Sequence, residues 1–252
     1  MLTASSALNP LVVIPSRLNA TRLPNKPLAE IHGEPMIVHV WRRAVAASVG
    51  PVVVACGDQA IADVVMQYGG SVVLTDPDLP SGSDRVFAAA DEVDPDHDFN
   101  VVINLQGDMP TLDPPLLHSV LEPLADPNVD IATLAVEIDD MREAMDPNVV
   151  KIALALQKGD VIGRALYFSR APIPYGDAER YHHLGIYAYR RDALRRFVTS
   201  PPAPLENSER LEQLRALSAG MRIDVRLVHT IPLGVDTEAD LERARTLVYR
   251  RN

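Results

Sequence analysis

The sequence predicts an α/β protein built on a mostly parallel sheet with helices on both faces. Two observations carry that prediction. Four short runs, LVVI (11–14), PVVVAC (51–56), SVVLT (71–75) and NVVINL (100–105), are apolar almost throughout, as strands covered on both faces must be. Stretches with helical spacing separate them, and strands alternating with helices build parallel sheets.

Taken in order, LVVI is the first strand, and a cationic loop (17–27) leads to a helix from about Pro35 to Ser48. PVVVAC follows, then a helix in AIADVVMQYG that ends at Gly69-Gly70, the strand SVVLT, a helix from about Ser83 to Val93, and NVVINL. Proline and acidic residues crowd 122–148, where no element is expected. Strands are expected at 149–156, 165–170 and 183–190, helices at about 191–198 and 205–219, a strand near 222–228 and a helix from about Thr237 to Tyr249. There is no internal repeat and no long linker, so a single domain, 1–252, with a smaller lobe is expected. Parallel sheets bind ligands beyond the carboxyl ends of their strands, which is where the cationic loop and QGDMP (106–110) fall.

Lys and Arg total 24 against 34 Asp and Glu, a formal charge of -10. That balance argues against a nucleic-acid groove, which needs a broad positive field to displace counterions. It also argues against a membrane surface, for which a basic amphipathic helix is missing. Cys56 is the one cysteine, so no intramolecular disulfide is expected and a reducing compartment is implied. The start, MLTASSALNP, lacks the basic and apolar regions of a signal peptide, and no run is long enough for a membrane span. A cytoplasmic protein is expected.

Against this acidic background, no acidic residue lies between Met1 and Ala29, while Arg17, Arg22 and Lys26 stand close together. A solvated loop, a nucleic-acid contact and a site for a small polyanion such as a triphosphate would each use such a cluster. The loop 17–27 has no glycine, so it is neither a P-loop nor a dinucleotide fingerprint. Phosphate would be met by side chains, with Arg forking onto oxygens and Lys acting as a compact charge. In INLQGDMP, Gly107 permits a tight turn that presents Asp108. A carboxylate beside a triphosphate makes sense with Mg²⁺ between them, since that ion takes one or two carboxylates plus phosphate oxygens; a plain turn is the other use. In PLGVDTEADLERA (232–244), Thr237 and Asp240 form a helix-capping pair. That leaves the charge of Asp236 for another role, or for the helix dipole alone.

In YHHLGIYAYR (181–190) the strand period of two places His183, Gly185, Tyr187 and Tyr189 on a face with hydrogen-bonding tips, a pocket wall. His182, Leu184, Ile186 and Ala188 share the apolar face, which argues against a metal site using both histidines. LENSERLEQLRAL (205–217) is amphipathic: Leu211, Leu214 and Leu217 form the buried stripe. Glu209, Glu212, Gln213 and Ala216 lie on another face, expected to be solvated.

Together these segments resemble the 3-deoxy-manno-octulosonate (Kdo) cytidylyltransferase family, from about residue 11 to 248. The resemblance is carried, in order, by IPSRLNATRLPNKPL, GEPMIVHVWRRA, SGSDR, QGD, LYFSRAPIPY, HHLGIYAYRR, LEQLRAL and GVDTEADLERAR. It implies a nucleotide-diphospho-sugar transferase fold, with a nucleotide-binding half at about 11–125 and a sugar-binding and dimerisation half at about 126–252. The implied reaction joins CMP from CTP to the anomeric hydroxyl of a Kdo-type sugar acid and releases pyrophosphate, for lipopolysaccharide biosynthesis, in a homodimer. Arg17, Arg22 and Lys26 match the triphosphate positions and Arg85 a nucleotide position; Asp108 and Asp236 match the Mg²⁺ carboxylates. Lys26, Arg22, Asp108 and Asp236 are thus the implied catalytic set. Gln106, Arg170, His183, Tyr187, Glu212 and Gln213 match positions around the sugar acid.

Met109 stands where Glu is frequent in the family, Leu79 where His or another polar residue is expected, and Gly176–Arg180 is a shortened loop. These departures leave open whether Kdo or its 8-amino form is preferred. The rivals are a cytidylyltransferase for another sugar acid, such as sialic acid, and a non-catalytic nucleotide sensor on the same fold.

Overall fold

A computed structural model of the protein describes residues 7–18 and 22–249. The chain forms two compact units, one comprising Leu8–His118 and the chain from Pro232 onward, the other comprising Ser119–Ile231.

The first unit runs through β1 (Pro10–Ser16), a small hairpin of β2 (Glu30–Ile31) and β3 (Glu34–Pro35), α1 (Met36–Ala47), β4 (Val52–Cys56), α2 (Gln59–Gln67), β5 (Ser71–Leu74), α3 (Gly82–Val93), β6 (Val101–Leu105) and the short α4 (Pro115–Ser119). Its sheet has the order β5-β4-β1-β6 with all pairs parallel, as the apolar runs require. Every residue of β1 is buried, and each large aliphatic side chain so removed from water contributes roughly 1.5–3 kcal/mol. Crossovers through α1, α2 and α3 leave the loops after β1 and β6 at one edge. There Gly107 is obligatory: a Cβ on it would stand 2.9 Å from the Pro15 carbonyl oxygen. Helix α3 begins at Ser81, whose Oγ accepts from the amide of Asp84 at 3.1 Å, satisfying one of the donors a helix start leaves open.

The second unit runs through β7 (Ile131–Glu137), α5 (Met141–Met145), β8 (Lys151–Ala155), β9 (Ile162–Ser169), β10 (Tyr181–Arg190), α6 (Arg191–Thr199), α7 (Pro204–Glu209), α8 (Gln213–Ser218) and β11 (Ile223–Leu227). Its strands lie in the order β10-β7-β11-β9-β8, and β8 also pairs with the first two residues of β10, so the five strands close on themselves. Lys151 sits inside this closure with no exposed surface. Its ammonium donates to the carbonyls of Asp146 at 2.8 Å, Val149 at 2.6 Å and Arg170 at 2.6 Å, filling all three of its donor positions.

Three expectations are corrected. β7 lies in the stretch 122–148 where no element was expected; IATLAVE is an apolar strand held between β10 and β11, masked by the turn-forming residues around it. The helix expected over 205–219 is two helices, broken at Arg210, whose φ of 55° no helix accommodates. The last helix, α9 (Glu238–Tyr249), belongs to the first unit and not the second half of the chain. Its Leu241, Ala244 and Val248 share a buried cluster with Leu23, Ile31 and Met36, so burial of apolar surface fixes its place. Among the described residues no helix is long and apolar enough to cross a membrane.

Candidate active site

The described parts of the cationic loop are anchored to the fold, although Arg17 and Arg22 stay exposed. Leu23 enters the cluster shared with α9, and Pro27 is buried in a 3₁₀ turn over Lys26–Leu28. Asn25 precedes that turn with φ of 56°, a left-handed conformation Asn tolerates. At the loop's other end the amide of Leu18 donates to Asp58 Oδ2 at 3.0 Å. These anchors turn Arg17, Arg22 and Lys26 into one cavity of about 380 Å³, which Ser81 and Gly82 at the start of α3, Gln106, Asp108 and Asp236 also line.

Asp236 reaches this cavity because two bonds dock the segment before α9 on the loop after β6. The amide of Leu233 donates to Thr111 Oγ1 at 2.7 Å, and that of Val235 to the Asp108 carbonyl at 2.9 Å. Asp240 Oδ2 accepts from the amide of Thr237 at 3.1 Å, and Thr237 Oγ1 accepts from the amide of Asp240 at 3.2 Å. With that cap occupied by Thr237 and Asp240, the Asp236 carboxylate points elsewhere.

It meets Lys26. The Lys26 ammonium donates to Asp108 Oδ2 at 2.7 Å and to Asp236 Oδ1 at 3.0 Å, and Arg22 pairs with Asp236 Oδ2 at 3.0 Å. Burial alone would lower the Lys26 pKa, but Asp108 and Asp236 outweigh it and hold it above the ordinary lysine value, so the side chain stays charged. Arg85 is almost wholly buried and donates to Thr75 Oγ1 and to the carbonyls of Asp76 and Pro77. Burial, together with the charge of Arg17, lowers its pKa. It therefore shapes the 75–77 loop and adds positive potential at the cavity. Leu79 also lines the cavity.

The cavity thus sets four cations, Arg17, Arg22, Lys26 and Arg85, against two carboxylates. An anion gains from that field, and the amino end of α3 adds its dipole. Asp108 and Asp236 converge on a single cation, and their hard oxygen donors suit Mg²⁺, which needs few protein ligands when phosphates supply others. Among the described residues there is no cluster of three or more Asp, Glu, His or Cys that could hold a metal ion.

Of the residues expected around a sugar acid, Gln106 lines this cavity and donates to Asn104 Oδ1 at 3.3 Å. The others lie in the second unit. The ring of His183 packs 5.2 Å from that of Tyr187, as the shared strand face requires. Burial, and secondarily the neighbouring His182, pushes the His183 pKa down to about 3. Burial, with Tyr189 and Glu212 nearby, raises that of Tyr187. His182 instead pairs with Glu143 at 2.7 Å, so the two histidines part as expected.

The face read as solvated in 205–217 is not. Ala216 and Gln213 are buried, and Glu209 gathers the end of β9. Its carboxylate accepts from Ser169 Oγ at 2.7 Å and from the amide of Arg170 at 3.0 Å, and its carbonyl from Arg170 Nε at 2.9 Å. Arg170 Nη1 donates to the Pro147 carbonyl at 2.9 Å. The break at Arg210 explains the error, because residues on either side do not share one helical face. Ser81, which lines the cavity, was missed, though its Ser-x-x-Asp cap pattern could have found it, and nothing local marks the contacts of Glu209 with Ser169 and Arg170.

Residues 11–223 match the family model described as Cytidylyltransferase. The 3-deoxy-manno-octulosonate cytidylyltransferase of Paramagnetospirillum magneticum is 59% identical over 241 residues, covering 96% of this chain and 98% of the relative. That of Rhodospirillum centenum is 61% identical over 243 residues, covering 96% and 95%. A solved structure of CMP:2-keto-3-deoxy-manno-octonic acid synthetase complexed with CTP superimposes with a TM-score of 0.88 at 38% identity, covering 97% of this chain and all of that one. The fold is shared more widely: 4-diphosphocytidyl-2C-methyl-D-erythritol synthase from Anaerococcus prevotii gives a TM-score of 0.62 at 11% identity. The chain belongs to the 3-deoxy-manno-octulosonate cytidylyltransferase family.

Proposed function

We propose that the protein transfers CMP from CTP to the anomeric hydroxyl of Kdo or a close variant such as its 8-amino form, releasing pyrophosphate, with Mg²⁺ as cofactor. The observation that carries this reading is the Lys26 ammonium held between Asp108 and Asp236 at the floor of a cationic cavity. The sugar's anomeric oxygen attacks the α-phosphorus and gives up its hydroxyl proton to water as the bond between the α-phosphorus and the bridging oxygen breaks, and the electron pair leaves with pyrophosphate. Arg17, Arg22 and Lys26 stabilise the charge gathering on that leaving group. The amino end of α3 orients the phosphate chain. Mg²⁺ held by Asp108 and Asp236 would supply Lewis-acid polarisation of the phosphate. No protein nucleophile is needed.

The family resemblance supports three further parts of the reading: a role in lipopolysaccharide biosynthesis, a cytoplasmic location and a working homodimer. The deciding experiment measures pyrophosphate release from CTP, UTP, GTP or ATP with Mg²⁺ and a panel of sugar acids. Release that requires both CTP and a Kdo-type sugar is expected. Release with a sialic acid and not with Kdo, or none with any sugar acid, would overturn it.

A further inference from the structure

Thr133 lies on β7 with no exposed surface, opposite an irregularity in β10. The register with β7 shifts between Leu184 and Tyr187, leaving Gly185 and Ile186 outside the regular pairing. The Thr133 hydroxyl sits against this irregularity: Oγ1 stands 3.1 Å from the Leu184 carbonyl and 2.8 Å from that of Ile186. It also stands 3.1 Å from Nε2 of His183.

These three distances fix where the protons are. Carbonyls only accept, and a hydroxyl has one proton. That proton is committed to the carbonyls, so Oγ1 faces the imidazole as an acceptor and Nε2 must carry the ring's hydrogen. The opposite tautomer would turn the threonine proton to Nε2 and leave two carbonyl oxygens against bare lone pairs in a sealed site, which is costly. The depressed pKa of His183 agrees, since a neutral imidazole has one N–H to place. Nδ1 is then an unprotonated acceptor. It has no hydrogen-bond partner among the described residues and is not among the sealed polar atoms that lack one.

We infer that Thr133 is a positioning residue that locks His183 as the Nε2–H tautomer, so that Nδ1 accepts a hydrogen bond from a hydroxyl of the sugar substrate. The amide of His183 donates to the Val150 carbonyl at 2.9 Å, and the ring is wedged edge-on to Phe168, 5.2 Å between centroids. The ring can neither swing nor flip freely, and the threonine decides which nitrogen is offered. The ligand half of this inference rests on the sugar-side reading given above.

Two measurements separate the parts. Proton-coupled ¹⁵N spectra of histidine-labelled protein, with His183 assigned from a His183→Gln variant, report which ring nitrogen bears hydrogen. Wild type and Thr133→Ser should show Nε2–H alone from neutral to mildly acidic pH. Thr133→Val should show mixed or reversed protonation. Kinetics with CTP and Kdo should give a sugar KM raised roughly twofold to tenfold in Thr133→Val, as for one lost hydrogen bond, with the CTP KM unchanged and Thr133→Ser near wild type. Nδ1–H in the wild-type protein overturns the inference at once. A raised sugar KM in His183→Gln but not in Thr133→Val overturns the positioning role while leaving the sugar-side reading intact. An unchanged sugar KM in both variants removes His183 from the sugar site and the inference with it.

Discussion

Lys26 and Asp236 are 210 residues apart in the chain and 3.0 Å apart in space. The same ammonium holds Asp108, so one cation bridges two carboxylates that would otherwise repel, and Arg22 pairs with Asp236 besides. Lys26→Met is expected to lower turnover by about 10²–10³, because its charge acts most strongly on the leaving pyrophosphate. Both carboxylates retain solvent access, so the variant should keep its far-ultraviolet circular dichroism. Steady-state kinetics check this, and near-normal turnover would remove Lys26 from the chemistry.

Asp108→Asn and Asp236→Asn should each abolish Mg²⁺-dependent turnover while leaving part of the CTP affinity, which the cations of the loop supply. Calorimetric titration of CTP with and without Mg²⁺, and of Mn²⁺ by electron paramagnetic resonance, measures the two effects separately. A variant that keeps the wild-type metal requirement and rate is not missing a ligand.

The Glu209 carboxylate holds the backbone amide of Arg170 and the hydroxyl of Ser169, while its main-chain carbonyl takes the Arg170 guanidinium, so loss of the side chain should be read at Arg170 through its backbone. Glu209→Ala is expected to raise the sugar-acid KM with little change for CTP, and to cost about 1–3 kcal/mol of stability for the donors left without an acceptor. Arg170→Ala should raise the same KM. If the two effects on sugar KM add in the double variant, Glu209 does not act through Arg170.

His183 predicts a pH dependence of stability. Burial holds its folded-state pKa at about 3, below the ordinary 6.5, so the unfolded chain accepts a proton that the folded protein refuses. The stability is fully present above pH 6.5 and is lost as pH falls toward 3, by roughly 1.4 kcal/mol for each pH unit within that window. Urea unfolding at pH 7 and pH 5 should show this loss in wild type, and His183→Asn should lack most of it. Equal slopes for the two proteins would contradict the assignment.

The parallel sheet was legible because its strands are apolar almost throughout, and the capping pair Thr237–Asp240 because helix starts have a local pattern. That pair leaves the Asp236 carboxylate out of the cap, and it meets Lys26 and Arg22 instead. The hidden features depend on distant partners. β7 is a strand because β10 and β11 flank it, and nothing beside Glu209 in the chain announces Ser169 or Arg170. Thr133 is silent for the same reason: its role exists only opposite the irregularity in β10. Sequence patterns report local geometry, whereas these residues are defined by contacts across a closed set of strands.

Val235, Leu241, Ala244 and Val248 complete the cluster that holds Leu23, Ile31 and Met36, so this part of the first unit is assembled from two segments separated by the whole of the other unit. A ribosome delivers Leu23, Ile31 and Met36 before residues 119–231 of the other unit, and their partners only after it. Until then those side chains lack their cover, the condition in which nascent chains call on chaperones. A product of arrested translation ending before Pro232 would carry the cationic loop, Asp108 and the parallel strands, yet could not gather two carboxylates around Lys26. The Asp108–Lys26–Asp236 arrangement is therefore a late product of synthesis, closed only when a segment made long after the loop folds back onto it.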